Sequence, residues 1–183
     1  MMSMTVGVRD HGAGVGVQIL PPDARPLAPD SRLRHALPKD VSQIVALVNS
    51  YVPRGDMLPR SKEQVLATIR DWVVVEDAER GEIIACGALV VMGEDLAEVR
   101  SLAVKPQYQG RRLGQQIVAQ LLDDARALGL PTVFALTRAV GFFEKMGFRV
   151  TAKENFPAKI WKDCLHCPKF PKCDETAVVI TLT

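Results

Sequence analysis

The chain has 183 residues, 48% hydrophobic and 24% charged, with 23 Lys+Arg against 21 Asp+Glu for a formal charge of +2. That size and balance predict one folded domain that buries on the order of 70% of its unfolded surface and needs no covalent staple. They exclude a nucleic-acid binder driven by bulk charge, a disulfide scaffold on four cysteines, and a spanning helix, the longest nearly apolar run being only Ile83 to Met92.

Residues 1 to 30 carry Gly7, Gly12, Gly14 and Gly16, then Pro21, Pro22, Pro26 and Pro29. No helical or strand period survives that punctuation, so a flexible tail is expected. Its Gly-x-Gly pieces have neither a strand before them nor an amphipathic helix after, which a dinucleotide fingerprint requires. The tail also lacks the basic start and apolar centre of a signal peptide, so a reducing cytoplasm is the expected compartment.

The acting domain is expected over 31–183, including a cysteine-containing loop at 153–175. A short strand opens near Arg32. Asp40 to Ser50 carries an apolar stripe at helical spacing (Val41, Ile44, Val45, Leu47, Val48). Tyr51 to Pro59 is a loop, and Ser61 with Gln64 three residues on forms a capping box for a helix running to about Arg70. Valine-rich Trp72–Glu76, apolar Ile83–Met92 and Ala97–Val104 read as strands joined by polar turns, an antiparallel meander. Leu113 to Leu128 is a helix with Leu113, Ile117, Leu121 and Leu128 on one face, stopped by Gly129 and Pro131. Thr132–Leu136 is a buried strand, Gly141–Met146 a short helix, and Phe148–Thr151 and Ala177–Thr183 are closing strands. The strand–helix–strand crossover requires one right-handed parallel pair. The expected class is α/β: a mixed, mostly antiparallel sheet with helices on both faces.

The informative stretch is Ser101 to Gln115, S-L-A-V-K-P-Q-Y-Q-G-R-R-L-G-Q. A strand enters a loop holding Gly110 and Gly114, and a long helix opens at once. Helix starts leave N–H groups unpaired and carry partial positive charge, a natural seat for a diphosphate. Arg111 and Arg112 add cations at the rim. A plain loop with solvated arginines accounts for the same residues equally well.

V-K-P-Q-Y-Q-G-R-R-L-G resembles the acetyl-CoA pyrophosphate loop of the GNAT acetyltransferase superfamily, Gln/Arg-x-x-Gly-x-Gly/Ala, with Arg112 where the middle glycine is usual. That departure is mild if the backbone there is helical, because only the N–H is needed. G-F-F-E-K-M-G-F (141–148) resembles the second marker, Tyr-Glu-x-x-Gly-Phe. Three shorter pieces, M-L-P-R-S-K-E-Q (57–64), E-V-R-S-L-A-V (98–104) and F-A-L-T (134–137), are similar to segments of N-acetylglutamate synthases. The tail 156–175 resembles short stand-alone members of that group.

The resemblance implies transfer of acetyl from acetyl-CoA to the α-amino group of L-glutamate, the entry step of arginine synthesis. It implies Glu98 as the base, with a surface carboxylate paired to Arg100 as the plain alternative. It places pantetheine on the backbone of Leu102, Ala103 and Val104, and the rest of the cosubstrate on Gln109, Gly110, Arg111, Arg112, Leu113, Gly114, Gln115 and Phe143. Arg60, Arg100 and Arg138 lie beside the similar segments and suit the acceptor's carboxylates. Phe143 stands where the superfamily has its proton-donating tyrosine; the thiolate can leave unassisted at a pKa near 8.5, or water or Tyr108 can help, and no acid is assigned. Cys86 on the central strand reads as core. The expected partners are a small-molecule amine and, as the family allows, a second copy of the chain, with no nucleic acid and no membrane. Another amine acceptor, or a non-catalytic acetyl-CoA sensor, remains open.

Cys164, Cys167 and Cys173 form C-x2-C-x5-C with His166 between the first two. C-x2-C is half of a zinc knuckle, the second half is absent, and Asp174 or His35 could complete a ligand set. A metal site, a redox pair and a reduced proline-rich loop anchored by Trp161 and Phe170 all stay open, and no metal is assigned.

Overall fold

The computed structural model describes residues 31–156 and 172–182. The expected tail, and the readings on Trp161, Cys164, His166, Cys167 and Phe170, lie outside the described residues. One seven-stranded sheet runs β1 (Ser31–His35), β2 (Trp72–Asp77), β3 (Glu82–Val91), β4 (Leu96–Val104), β5 (Thr132–Thr137), β7 (Thr176–Thr181), β6 (Arg149–Thr151). Every neighbouring pair is antiparallel except β4 with β5. The meander and the parallel pair follow the sequence expectation. The last strand, β7, inserts between β5 and β6 and covers β5's outer edge.

Two helices, α1 (Val41–Asn49) and α2 (Lys62–Ala67), cover one face, and α3 (Leu113–Ala127) covers the other. The Ser61 capping box forms: Gln64 N donates to Ser61 Oγ at 3.2 Å and Ser61 N donates to Gln64 Oε1 at 2.9 Å. The helix is shorter than its expected end at Arg70, because the chain tightens into a 3-10 turn at Ile69–Asp71 before β2. α3 ends in a Schellman pair, Leu130 N to Ala125 O at 2.9 Å and Gly129 N to Arg126 O at 2.9 Å. Gly129 supplies the left-handed turn at φ +72°. The short helix α4 (Val140–Glu144) starts one residue before the expected Gly141 and ends two before Met146.

Gly87 on β3 lets α3 lie close to the sheet. A Cβ there would meet Ile117 Cγ2 at 2.7 Å and Leu102 Cδ1 at 3.3 Å. Ile117 is fully buried and has no space to retreat. Gly87→Ala is therefore expected to cost about 1–3 kcal/mol by overpacking. A urea midpoint equal to the parent's would show that α3 yields without penalty.

Candidate active site

β4 carries the site because two local irregularities open it. Its pairing with β5 covers Leu96–Thr132, Ala97–Val133 and Glu98–Phe134 and stops there, although β4 runs on to Val104 and β5 to Thr137. The strands splay, and among the described residues the β5-facing edge of β4 beyond Glu98 has no neighbouring strand. The second irregularity is a bulge. Cys86 faces Ala103 and Ala88 faces Arg100, so Ser101 and Leu102 together oppose Gly87. Ser101 absorbs the extra residue at φ +54°, a conformation that costs a side-chain-bearing residue. The bulge reverses the side-chain alternation. Ala97 and Val99 pack toward α3 before it, Leu102 and Val104 do so after it, and Ala103 turns into the α1–α2 core.

The splay opens a cleft of about 1320 Å³. The loop after β4, the first turn of α3, the α1–α2 connection, Glu98, Arg60, Arg100 and Arg138 all line it. Of the residues singled out from sequence, Leu102, Val104, Gln109, Gly110, Arg112, Leu113, Gly114, Gln115 and Phe143 also line it. Two do not. Ala103 is 1% exposed on the opposite face because of the bulge. The Arg111 guanidinium lies over the Tyr108 ring, 5.1 Å from its centroid.

The loop into α3 corrects one expectation. Arg112 is not helical: it is the N-cap at φ 62°, ψ 14°, a left-handed conformation in which glycine is unstrained and arginine is not. The usual glycine there is a backbone requirement, so the departure is not mild. Gly110 is left-handed too, at φ +77°. Gly114 sits against Phe142, whose ring atoms a Cβ would meet at 3.4 Å.

Glu98 has 14% of its side chain exposed, and its Oε2 lies 3.7 Å from Arg100 Nη1. It is thus both a cleft carboxylate and an ion-pair partner. Arg100 also acts on Asp71. Burial holds the Asp71 carboxyl above its ordinary value, and the Arg100 charge offsets only part of that rise. Arg138, just beyond β5, joins Asp56 Oδ1 at 2.6 Å and Asp174 Oδ2 at 3.4 Å. Arg60 is held through its backbone: its N–H donates to Asn49 Oδ1 at 2.9 Å and its carbonyl accepts from Asn49 Nδ2 at 3.0 Å.

The Tyr108 hydroxyl, a candidate to help the departing thiolate, is engaged outside the cleft. The O–H donates to Asp77 Oδ2 at 3.1 Å, and Asp77 does not line the cleft. Desolvation and then that carboxylate hold the phenol above its ordinary pKa. Phe143 is 4% exposed and stacks edge-on with Phe142 and Phe148, both at 5.1 Å. Cys86 is fully buried, and burial pushes its thiol up to about 12, so it is inert core. His35 Nε2 lies 3.4 Å from Asp124, and Asp174 is engaged by Arg138. Among the described residues no group of three His, Cys, Asp or Glu side chains could hold a metal ion. Nor is any helix among them long and apolar enough to cross a membrane.

Sequence reasoning passed over Asn49, Tyr51, Asp56 and Thr137. Thr137 Oγ1 accepts the Ala139 N–H at 2.9 Å and shapes the turn that presents Arg138. Asn49, Tyr51 and Asp56 meet partners far along the chain, so no local pattern marks them, whereas Thr137 closes the F-A-L-T piece and bonds only two residues ahead.

Comparison with known proteins agrees with this architecture. The pattern of the acetyltransferase (GNAT) family matches residues 46–148. An uncharacterized N-acetyltransferase of Chlorobaculum tepidum is 39% identical over 155 residues, 85% of this chain and 99% of that protein. An amino-acid acetyltransferase of Mycobacterium tuberculosis is 36% identical over 129 residues, 70% of this chain and 71% of that one. The crystal structure of N-acetylglutamate synthase from Neisseria gonorrhoeae, complexed with coenzyme A and N-acetyl-glutamate, superposes with a TM-score of 0.73 at 28% identity. That match covers 84% of this chain but only 35% of the synthase. The chain belongs to the GNAT acetyltransferase family. It is an acetyltransferase with acetyl-CoA as cosubstrate, related to the amino-acid acetyltransferases.

Proposed function

We propose that this enzyme transfers the acetyl group of acetyl-CoA to the α-amino group of L-glutamate, the first step of arginine synthesis. The observation that carries the reading is that Arg60, Arg100 and Arg138 line the same cleft as Glu98. A dicarboxylate acceptor suits guanidinium forks, which bind carboxylates through paired N–H donors. Arg138 exchanges part of its contact with Asp56 and Asp174 for the acceptor's carboxylate.

Glu98 takes a proton from the acceptor's ammonium, directly or through one water, because only the neutral amine attacks a thioester. The C–N bond forms, the C–S bond breaks, and the thiolate leaves without a dedicated acid, as its pKa near 8.5 permits. The freed edge of β4 accepts the pantetheine arm as an added strand at Leu102 and Val104. A backbone N–H there holds the developing oxyanion. The first turn of α3 seats the diphosphate through its N–H groups.

Arg112 keeps a strained backbone for the sake of its side chain at that seat. Arg112→Gly is therefore expected to raise stability by roughly 1 kcal/mol while weakening acetyl-CoA binding. A variant that binds acetyl-CoA like the parent would remove the side chain from the site.

Release of free CoA, followed across a panel of amino acids and polyamines, tests the acceptor. Glutamate is expected to give the highest kcat/KM. A higher value with a polyamine or a neutral amino acid would overturn the glutamate reading and leave the acetyltransferase in place.

A further inference from the structure

Tyr51 follows α1 and opens the connection to α2. Its ring packs against the α1–α2 core and its residue lines the cleft. Its hydroxyl donates to the carbonyl oxygen of Val104, the last residue of β4. Gln109 Nε2 donates to the same hydroxyl oxygen at 3.1 Å and comes within 3.4 Å of Val104 O. One phenol thus ties together the end of the open strand edge and the first residue of the α3 loop, 53 and 58 positions away in sequence.

We infer that Tyr51 is a positioning residue for acetyl-CoA: by holding Val104 O and Gln109 together it sets where the pantetheine arm leaves β4 and the diphosphate seat begins. The phenol and the Gln109 amide together occupy both acceptor positions of the Val104 carbonyl, so the arm turns there instead of extending the added strand. Gln109 is exposed, and an exposed glutamine side chain otherwise samples many rotamers. The phenol restricts it while the loop backbone is aimed into the cleft. The inference rests on acetyl-CoA as cosubstrate and is independent of which acceptor is used.

The test is calorimetric titration of the full chain with coenzyme A, no acceptor present. Tyr51→Phe keeps the packed ring and removes only the hydroxyl. It is expected to weaken coenzyme A about tenfold while the melting temperature and kcat at saturating acetyl-CoA stay close to the parent's. Gln109→Leu is expected to lose about as much. The double variant should lose no more than either single one, because both act through one link. Affinity within twofold of the parent for Tyr51→Phe overturns the inference, as does a double variant whose loss is the product of the two. Should Tyr51→Phe fail to fold, Gln109→Leu reads the link from the exposed side, and unchanged affinity there is equally fatal to it. Failure of the glutamate assignment leaves every one of these readings untouched.

Discussion

Replacing Glu98 by glutamine is expected to lower kcat about 10²–10⁴-fold at neutral pH, the usual contribution of a positioned general base, while the KM for acetyl-CoA stays within about twofold. Glutamine has nearly the same shape but cannot take up a proton. Glu98 is the last residue of β4 paired with β5, opposite Phe134, so its backbone is anchored just where the cleft opens. Its side chain is the carboxylate that β4 contributes to the cleft, beside Arg100. The deficit should narrow as pH rises, because more acceptor amine is then neutral without help. Glu98→Asp, which retains the charge but shortens the reach, should recover part of the rate if a water completes the relay. A Glu98→Gln enzyme turning over within threefold of the parent would falsify the assignment and leave the carboxylate as Arg100's partner only.

Asp40→Ala is the substitution expected to cost most in stability, about 3–5 kcal/mol, the range for breaking a buried ion pair from one side. Asp40 is 2% exposed. Its Oδ2 accepts from Arg34 Nη1 at 2.6 Å and from the Leu37 N–H at 2.8 Å, and its Oδ1 accepts from Arg34 Nη2 at 3.0 Å. Arg34 also reaches Glu76 Oε2 at 2.8 Å, so one guanidinium fastens β1, β2 and the entry to α1. Burial by itself raises the Asp40 carboxyl. The Arg34 and Leu37 hydrogen bonds outweigh it and hold the group below its ordinary carboxylate value. A depressed folded-state pKa stabilises the fold above the unfolded value of about 3.9, and that stabilisation is lost as pH falls through the folded value. The gap between parent and Asp40→Ala in urea melts should therefore be full at pH 7 and shrink in acid below about pH 4. Asp40→Asn, which can still accept the Leu37 N–H, should lose less. A gap that is the same at neutral and acidic pH would show that packing, not charge, holds this corner.

Much of the scaffold is written in short-range chemistry. The apolar stripe of α3, the Ser61–Gln64 capping box and the Gly129 stop are each determined by residues within a turn of one another. The same holds for the loop from Gln109 to Gly114, whose glycines and following helix are legible locally, although they suit an anion seat and a plain loop alike. Composition also indicated two strands, since valine-rich Trp72–Glu76 and apolar Ile83–Met92 lie within a residue of the observed Trp72–Asp77 and Glu82–Val91.

The site itself depends on pairings that no window of sequence contains. The bulge at Ser101–Leu102 sits opposite Gly87 of β3, the glycine onto which α3 packs Ile117. It turns the Ala103 side chain into the α1–α2 core, leaving only the backbone of that residue for the cosubstrate contact the resemblance implies. Past the point where β4 and β5 splay, β5 is still paired on its other edge, through Thr137, by β7 some forty residues later. Arg112 looks like an ordinary first residue of a helix until the chain is seen to turn left-handed there. Asn49 and Tyr51 carry no signature of their own. They matter because the fold brings them to Arg60, Val104 and Gln109. Side-chain periodicity reports which face of an element is apolar. Where a strand loses its partner is decided only when distant segments compete for the same backbone hydrogen bonds.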